Sequence, residues 1–404
     1  MTEVDSHPRG ALRVLLSRGF RPFFLCAALW AAMALALWLA MLTTGLALPT
    51  RFAPLEWHIH EMLFGFVLAT VAGFLLTAIP EWTGRQPVTG TLLGVLCGLW
   101  LLGRVGALFG AFVPVWMAIA ADIAFPAALA VVVAREIFAS GQRAGRMMVV
   151  PVAVLMLAQL LMDLGGEAGN GGGLDAYGWR LGLAAILIQI SVIGGRIVPA
   201  FTRNWLVRRG EEPVPPAANT IDRAALAVLH TALLTWVFFP QARLTGVALF
   251  AGATVNLWRL WRWRGATTRA EPLLFVLHVG YAWLVLGVAA LGFATWDASF
   301  PLSAAIHALT VGAIGTMILA VMTRATRGHT GRVLTADRST TLIYFLVVLA
   351  AAVRIVAAFA AQEQVDWLLA AGALWIGAFG LFALRYAPLL LRPRLSTSIA
   401  ESQR

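Results

Sequence analysis

The sequence contains little charge and almost no cysteine. Only 12% of its 404 residues are charged, against about 25% in soluble domains, which argues against a soluble globular protein. The two cysteines, Cys26 and Cys97, lie inside apolar runs and form no C-x-x-C pair. This spacing argues against a disulfide framework, a thiolate zinc site and a covalently attached c-type haem. Lysine is absent, so all thirty cationic side chains are arginine.

Long apolar runs account for most of the chain. Hydrophobic residues make up 60% of it, the mean hydropathy is +0.82, and sixteen tryptophans suit the interfacial belts of a membrane protein. A membrane span needs roughly 20 apolar residues. By that criterion the sequence predicts about twelve spans in an all-α bundle, near residues 22–45, 58–80, 88–110, 113–138, 147–165, 176–200, 221–240, 243–262, 271–293, 301–323, 339–360 and 365–390.

Arginine is concentrated in every second connection between these spans. The arginine-rich connections lie within residues 135–146, 203–209, 259–269 and 324–338, whereas the intervening ones are short or acidic. The positive-inside rule then predicts that both termini are cytoplasmic. This placement also explains the net charge of +11 without nucleic acid as a partner. We expect one polytopic domain, 1–404, with cytoplasmic tails at 1–20 and 393–404.

Two of the predicted spans, the second and the tenth, repeat one pattern at a constant offset. Residues 60–85 match residues 307–332 without a gap, since 307 − 60 = 247 and 332 − 85 = 247. His60 matches His307, and Gly65 matches Gly312. An imidazole inside a membrane is costly and marks a functional position. The pattern predicts a ligand shared by these two spans, and haem b between two histidines is the leading hypothesis.

The end of the sixth span, with Val198-Pro199, is similar to Ile79-Pro80 of the second. Spans two, six and ten are four apart, which favours three four-helix units.

Further histidines extend the set of candidate ligands. His58 and Glu61 are three residues apart and share a helix face, so Glu61 can orient the His58 imidazole. His278 and His230 lie at similar predicted depth, where a second metal site is conceivable. Simple hydrogen bonding is at least as good an account of His230. Glycines and small residues near His307 leave room for a bulky group, although helix packing also explains them.

Three buried charges need a partner in the membrane. Asp122, Arg104 and Arg354 fall inside predicted spans. The economical account pairs Asp122 with one of the arginines, and the alternative is a proton route. His329 lies in a basic loop, where it is either solvated or able to bind lipid phosphate.

Several of these landmarks together resemble the NnrS family, membrane proteins of the bacterial nitric oxide response. The resemblance extends over nearly the whole chain. The matching segments are G-F-R-P-F-F at 19–24, W-H-I-H-E-M-L-F-G at 57–65, G-F-L-L-T-A-I-P-E-W-T-G-R at 73–85, G-R-I-V-P-A-F-T at 195–202, L-H-V-G-Y-A-W at 277–283, H-A-L-T-V-G-A-I-G-T-M at 307–317 and H-T-G-R at 329–332.

The resemblance implies a protein of the bacterial cytoplasmic membrane that carries haem and copper and protects against nitrosative stress. Its expected partners are membrane lipid and nitric oxide or an iron–nitrosyl species, and the sequence identifies no electron donor. We predict that His60 and His307 bind haem b. His58 and His278 are the next candidates for copper or a second haem.

The helix order is also similar to that of the twelve-helix haem–copper oxidases and nitric oxide reductases. In those proteins the low-spin haem lies between histidines of the second and tenth helices, where His60 and His307 fall here. The sixth predicted span has Gln189 and no histidine, and the seventh has only His230. This departure argues against a copper site on those spans and against reductase activity.

Three functional classes therefore remain open at the level of sequence. The first is a haem- and copper-binding sensor or scavenger of nitric oxide. The second is an oxidoreductase that turns over nitric oxide, with Asp122 or Glu61 delivering protons. The third is a proton-coupled transporter without metal.

Overall fold

The computed structural model describes residues 8–141, 149–166, 173–360 and 363–395, and every regular element in these ranges is helical. A short helix, α1 (Pro8–Leu15), precedes twelve longer ones. These are α2 (Phe20–Thr44), α3 (Pro54–Thr83), α4 (Gly90–Phe109), α5 (Val115–Ala139), α6 (Val149–Gly165), α7 (Leu174–Arg208), α8 (Thr220–Phe238), α9 (Arg243–Arg262), α10 (Pro272–Trp296), α11 (Leu302–His329), α12 (Arg338–Phe359) and α13 (Gln364–Leu391).

A helix stands at each of the twelve predicted positions, but not all of them meet the length and polarity expected of a span. Among the described residues, ten helices are long and apolar enough to cross a membrane. The other two are α6, which has 17 residues, and α9, which carries Arg243, Arg259 and Arg262. The predicted all-helical, multi-pass membrane fold is confirmed, and the count of twelve spans is approximate.

Local sequence explains where several helices begin and end. Gly45 and Gly84 follow α2 and α3 with φ of 71° and 69°, a left-handed conformation that glycine adopts without strain. The Asn219 side chain accepts hydrogen bonds from the first turn of α8. The Glu271 carboxylate does the same for α10, which has Pro272 at its first position.

Three of the long helices change to π-helical hydrogen bonding for one or two turns. These segments directly follow His60 in α3, Gln189 in α7 and His307 in α11. The first and third begin 308 − 61 = 247 residues apart, which is the offset of the sequence repeat. π-Helical turns are rare and often lie at functional sites. Their recurrence every fourth long helix supports the repeat that the sequence predicted. The segments are Glu61–Val67, Ile190–Gly194 and Ala308–Gly315.

The predicted single domain contains two compact units. Unit 1 consists of the described chain up to Gly182, Arg324–Leu334 and the part from Phe379 onward. In it α2 packs on α3, and α5 packs on both α4 and α6. Unit 2 consists of Leu183–Thr323 and Thr335–Ala378. In it α9 packs on both α8 and α10, and the π segment of α11 packs on α10 and α12.

The first long helix begins where the last one ends. The Arg21 side chain in α2 is buried, and its Nη1 donates hydrogen bonds to the carbonyl oxygens of Leu390 (2.6 Å) and Arg392 (2.8 Å). The start of α2 and the end of α13 therefore lie at the same end of unit 1, as an even number of crossings requires. The predicted N-terminal tail contains α1, and residues 396–404 of the predicted C-terminal tail lie outside the described residues.

Candidate functional site

A fully buried histidine is at the centre of the polar core of unit 1. His60 has no exposed surface and is the last residue of α3 before its π segment. Phe52 stacks on its ring, with 4.8 Å between centroids, and Phe64 lies at 5.4 Å. The imidazole Nδ1 is 2.9 Å from Oε1 of Glu61, which is itself fully buried. This contact holds the ring in one orientation and leaves Nε2 to face other groups.

Two carboxylates converge on the opposite nitrogen of the same ring. His60 Nε2 is 2.8 Å from Asp122 Oδ2 and 3.6 Å from Asp163 Oδ1. The described protein offers no aligned hydrogen bond to Nε2, to Asp122 Oδ2 or to Asp163 Oδ2, and all three atoms are buried. Lone pairs of one imidazole and two carboxylates thus point into one small volume.

The shortest of these spacings, 2.8 Å between His60 Nε2 and Asp122 Oδ2, suits two ligands of one metal ion, whereas Asp163 Oδ1, at 3.6 Å from Nε2, would have to move slightly closer. Ligand atoms at about 2.0–2.1 Å from a zinc-sized ion are about 2.8–3.4 Å from each other when the angles between bonds are 90–109°. One ligand atom from each of His60, Asp122 and Asp163 lies within 4.8 Å of the other two. The protein therefore contains a buried His/Asp/Asp cluster that can bind a metal.

Arginines compensate most of the negative charge around this cluster. Arg104 donates from Nη1 to Glu61 Oε1 and from Nη2 to Asp122 Oδ1, both at 2.6 Å. Arg51 donates from Nη2 to Asp163 Oδ1 at 2.5 Å. Three carboxylates and two guanidiniums leave one negative charge, and a bound cation, a proton on His60 or a proton on one of the carboxylates would supply the balance. Uncompensated charge in a membrane is too costly for the cluster to lack all three.

Gly65 allows these groups to approach each other. A Cβ at this position would lie 2.5 Å from Trp30 Nε1, 2.7 Å from Arg104 Nη1 and 2.8 Å from Glu61 Oε2. Any side chain here would push Arg104 out of its ion pairs. The repeat partner of Gly65, Gly312, has a different role in unit 2.

His307 is half-buried and has a defined tautomer. Its Nδ1 is 2.7 Å from the Ser303 carbonyl oxygen, which can only accept, so Nδ1 carries the proton and Nε2 the lone pair. The room expected beside His307 is filled by the protein itself. A Cβ on Gly312 would lie 2.7 Å from the Trp283 ring, and one on Gly315 would lie 2.6 Å from the Trp375 ring. Helix packing thus explains these glycines, as the alternative interpretation stated.

His58 does not share Glu61 as the sequence predicted. Glu61 contacts the ring of its neighbour His60 instead, and Arg104 donates to the same Glu61 oxygen. His58 is half-buried and stacks on Trp38, with 4.3 Å between ring centroids.

His230 and His278, the suggested second metal pair in unit 2, bind hydroxyl groups. His230 Nε2 is 2.8 Å from Ser191 Oγ, and His278 Nε2 is 2.8 Å from Thr202 Oγ1. Simple hydrogen bonding, the alternative weighed for His230, therefore accounts for that residue.

A second buried polar cluster surrounds Arg259 of α9, also in unit 2. Its Nε donates to Asp222 Oδ1 at 3.0 Å, and its Nη1 donates to the Ser191 carbonyl at 3.1 Å. Nη1 also donates to the Tyr281 hydroxyl at 2.9 Å, which in turn donates to Asn256 Oδ1 at 2.8 Å. Ser191 lies in the π segment of α7, so the arginine satisfies a carbonyl group of that irregular turn.

The pairing predicted for Asp122 is confirmed, but one acidic residue of the cluster, Asp163, was not predicted. Arg104 is the partner of Asp122. Arg354 is half-buried in α12, and its Nη1 has no partner among the described residues. Asp163 was not among the candidate residues; it stands near the end of the span predicted at 147–165, and it lies in α6 with no exposed surface. Gln159, one turn earlier and equally buried, is the signal that a polar helix face begins there.

The fold and this cluster define an all-helical, multi-pass membrane protein with a buried candidate metal centre. The family described as NnrS protein matches residues 14–394, and the chain therefore belongs to the NnrS family. No curated protein matches the chain.

Proposed function

We propose that this is a metal-binding protein of the bacterial cytoplasmic membrane that acts in the response to nitric oxide and nitrosative stress. We assign a copper ion to His60 Nε2, Asp122 and Asp163. The observation that carries the proposal is the convergence of one buried imidazole and two buried carboxylates, each with one atom that has no hydrogen bond among the described residues. Membership of the NnrS family supplies the physiological context.

The donor set supports a transition-metal ion more than a porphyrin at His60. Imidazole and carboxylate ligands are typical of copper, zinc and iron sites. A haem iron on Nε2 would have to displace the Asp122 carboxylate, which lies 2.8 Å away. Copper at this position would offer a redox couple and a coordination position for nitric oxide. Glu61 would orient the ligand imidazole, and Arg104 would hold Glu61 and Asp122 in place.

For haem b we retain His307 as the leading ligand. The hydrogen bond from its Nδ1 to Ser303 supports a ring whose Nε2 carries the lone pair, as an iron ligand requires. His58 and His278 stay the next candidates. The pairing of His60 with His307 on one haem stays a prediction, and the same variants that test the copper site also test it.

The experiment combines metal analysis with absorption and electron paramagnetic resonance spectra of the purified full-length protein. We expect about one copper per chain, lost in His60→Ala and kept in His307→Ala, with the reverse pattern for haem. Loss of haem from both variants would support the shared haem and overturn the copper site. His230→Ala, which removes a half-buried histidine that contacts Ser191 in the π segment of α7, is the matched control.

A series of contacts between ionisable side chains supports a second candidate function, proton-coupled transport. Arg51, Asp163, His60, Glu61 and Arg104 form a continuous series of ionisable contacts. A proton on His60 would balance the cluster as well as a metal does, which suits a proton-coupled transporter. Absence of copper, zinc and iron from protein purified without chelators would favour this alternative. Steady consumption of nitric oxide with an electron donor would instead identify an oxidoreductase.

A further inference from the structure

Six arginines from three distant parts of the chain meet at one end of unit 1. They are Arg18 before α2, Arg21 in its first turn, Arg327 and Arg332 at and after the end of α11, and Arg392 and Arg394 after α13; we call them the arginine cluster.

Backbone contacts hold these segments together. The Leu395 amide donates to the Thr330 carbonyl at 3.1 Å, and Arg21 Nη1 binds the carbonyls at the end of α13. The Phe20 ring lies 5.5 Å from that of His329, which is half-buried.

The arginines of this cluster repel one another. Within the described part of the chain, none of Arg18, Arg21, Arg332, Arg392 and Arg394 forms a salt bridge. Burial, followed by the charges of Arg327 and Arg392, lowers the pKa of Arg332. Glu81 is an acidic group whose charge acts on His329, beside the cluster.

Arginines at other helix ends are of two kinds. Some have carboxylate partners, and others, such as Arg208 and Arg243, form no salt bridge among the described residues, so the cluster is distinguished by the convergence of its arginines and by the burial of Arg21. Arg85 and Arg135 share Glu136, and Arg209 binds Glu211. Those side chains are balanced by carboxylates that the protein itself provides.

Two buried donor groups at the cluster have no hydrogen-bond partner among the described residues. Arg21 is only 4% exposed, and its Nε has no partner among the described residues. Thr326, next to Arg327, is fully buried, and its hydroxyl likewise lacks a partner. A buried guanidinium with an unused N–H, surrounded by further guanidiniums, is a typical environment for a phosphate oxygen.

We propose that the arginine cluster binds the phosphate of an anionic phospholipid headgroup. The cluster lies where α2 begins and α11 and α13 end, which is the depth of lipid headgroups if these helices span the bilayer. Guanidinium forks match phosphate oxygens in pairs, and the headgroup would supply the negative charge that the described residues do not bring to the cluster. This inference is independent of the metal centre.

The test measures lipid binding by native mass spectrometry and by titration of full-length protein in neutral detergent. The probes are phosphatidylglycerol, phosphatidylcholine and inorganic phosphate. We expect phosphatidylglycerol to bind about tenfold more tightly than phosphatidylcholine. The triple variant Arg18→Gln, Arg332→Gln, Arg394→Gln should abolish that preference, whereas Arg208→Gln, Arg223→Gln, Arg269→Gln, with the same loss of charge in other connections, should keep it.

Equal binding of the two lipids, or equal effects of the two triple variants, would overturn the proposal. Competition by millimolar inorganic phosphate that depends on the same arginines would overturn the lipid assignment in favour of a soluble phosphate. Elution volume and metal content of each variant report folding. If the triple variant aggregates, the single variants Arg332→Gln and Arg332→Lys test the proposal instead. Glutamine should weaken the preference for phosphatidylglycerol, and lysine should restore part of it.

Discussion

Each unit contains a buried polar cluster next to a π segment, but the two clusters differ in charge. Around His60, Glu61, Asp122 and Asp163 outnumber Arg104 and Arg51 by one. Around Arg259, by contrast, the single carboxylate of Asp222 meets two guanidiniums, because Arg262 Nη1 also lies 3.4 Å from it. Carbonyl and hydroxyl oxygens accept the remaining hydrogen bonds of Arg259.

The difference shows that a π segment alone does not make a metal site. In unit 2 an arginine satisfies the irregular backbone, and the cluster has no surplus of acceptors that would need a cation. In unit 1 the arginines bind carboxylate groups of side chains, and carboxylate oxygens and an imidazole nitrogen are left without hydrogen bonds. Surplus acceptors, rather than helix geometry, therefore distinguish the candidate metal centre.

Arg104→Gln should have the largest effect on folding. It leaves the carboxylates of Glu61 and Asp122 buried without their cation, so we expect the free energy of unfolding to fall by about 3–5 kcal/mol. The measurement is unfolding in mixed micelles, with Arg354→Gln as the control. The control removes a half-buried cation without a carboxylate partner and should change stability little. An equal fall in the free energy of unfolding of both variants would show that the ion pairs of Arg104 do not contribute to stability.

Asp122→Asn should weaken metal binding by about a hundredfold or more. The change removes a proposed ligand, and even residues that only orient a ligand typically contribute 10–100-fold. Equilibrium dialysis with copper measures the affinity. Asp222→Asn removes the carboxylate of the other cluster and should leave copper affinity unchanged; a similar drop in that variant would erase the distinction between the clusters.

Glu61→Gln should weaken copper binding by about 10–100-fold while copper can still bind. Glutamine keeps an acceptor for His60 Nδ1–H but lacks the charge that raises the basicity of the ring. Copper titration followed by paramagnetic resonance checks this. An affinity equal to that of the unaltered protein would mean that Glu61 serves only to hold Arg104.

Tyr281→Phe should have the smallest effect, a loss of about 1 kcal/mol of stability with copper binding unchanged. The variant removes one acceptor for Arg259 and one donor to Asn256, in the cluster without surplus acceptors. Unfolding and copper titration are measured on the same preparation. Any loss of copper would indicate that the two clusters are coupled.

Much of the fold could be predicted because apolar runs of about 20 residues report on helices directly. Two of the three π segments coincide with the repeat at an offset of 247, because each begins directly after one of the matched histidines. Asp163 escaped prediction because it stands near the end of its helix, where the sequence is equally consistent with a connection. The contact between Glu61 and His60 was missed because helical spacing shows which residues share a face but not which rotamer a side chain adopts when a distant residue, here Arg104, binds it.

The sequence by itself determined the membrane class, the helical positions, the paired histidines and the family, because these depend on local polarity and on motifs of contiguous residues. Only the tertiary structure decided which charges meet. Gly65 and Gly312 occupy equivalent positions and each lies against an indole ring, yet only Gly65 also accommodates Arg104 and Glu61, whereas the three nearest atoms at Gly312 all belong to Trp283. The chemistry at a repeated position therefore depends on which neighbouring helices fill the space, and that is a property of packing between distant segments.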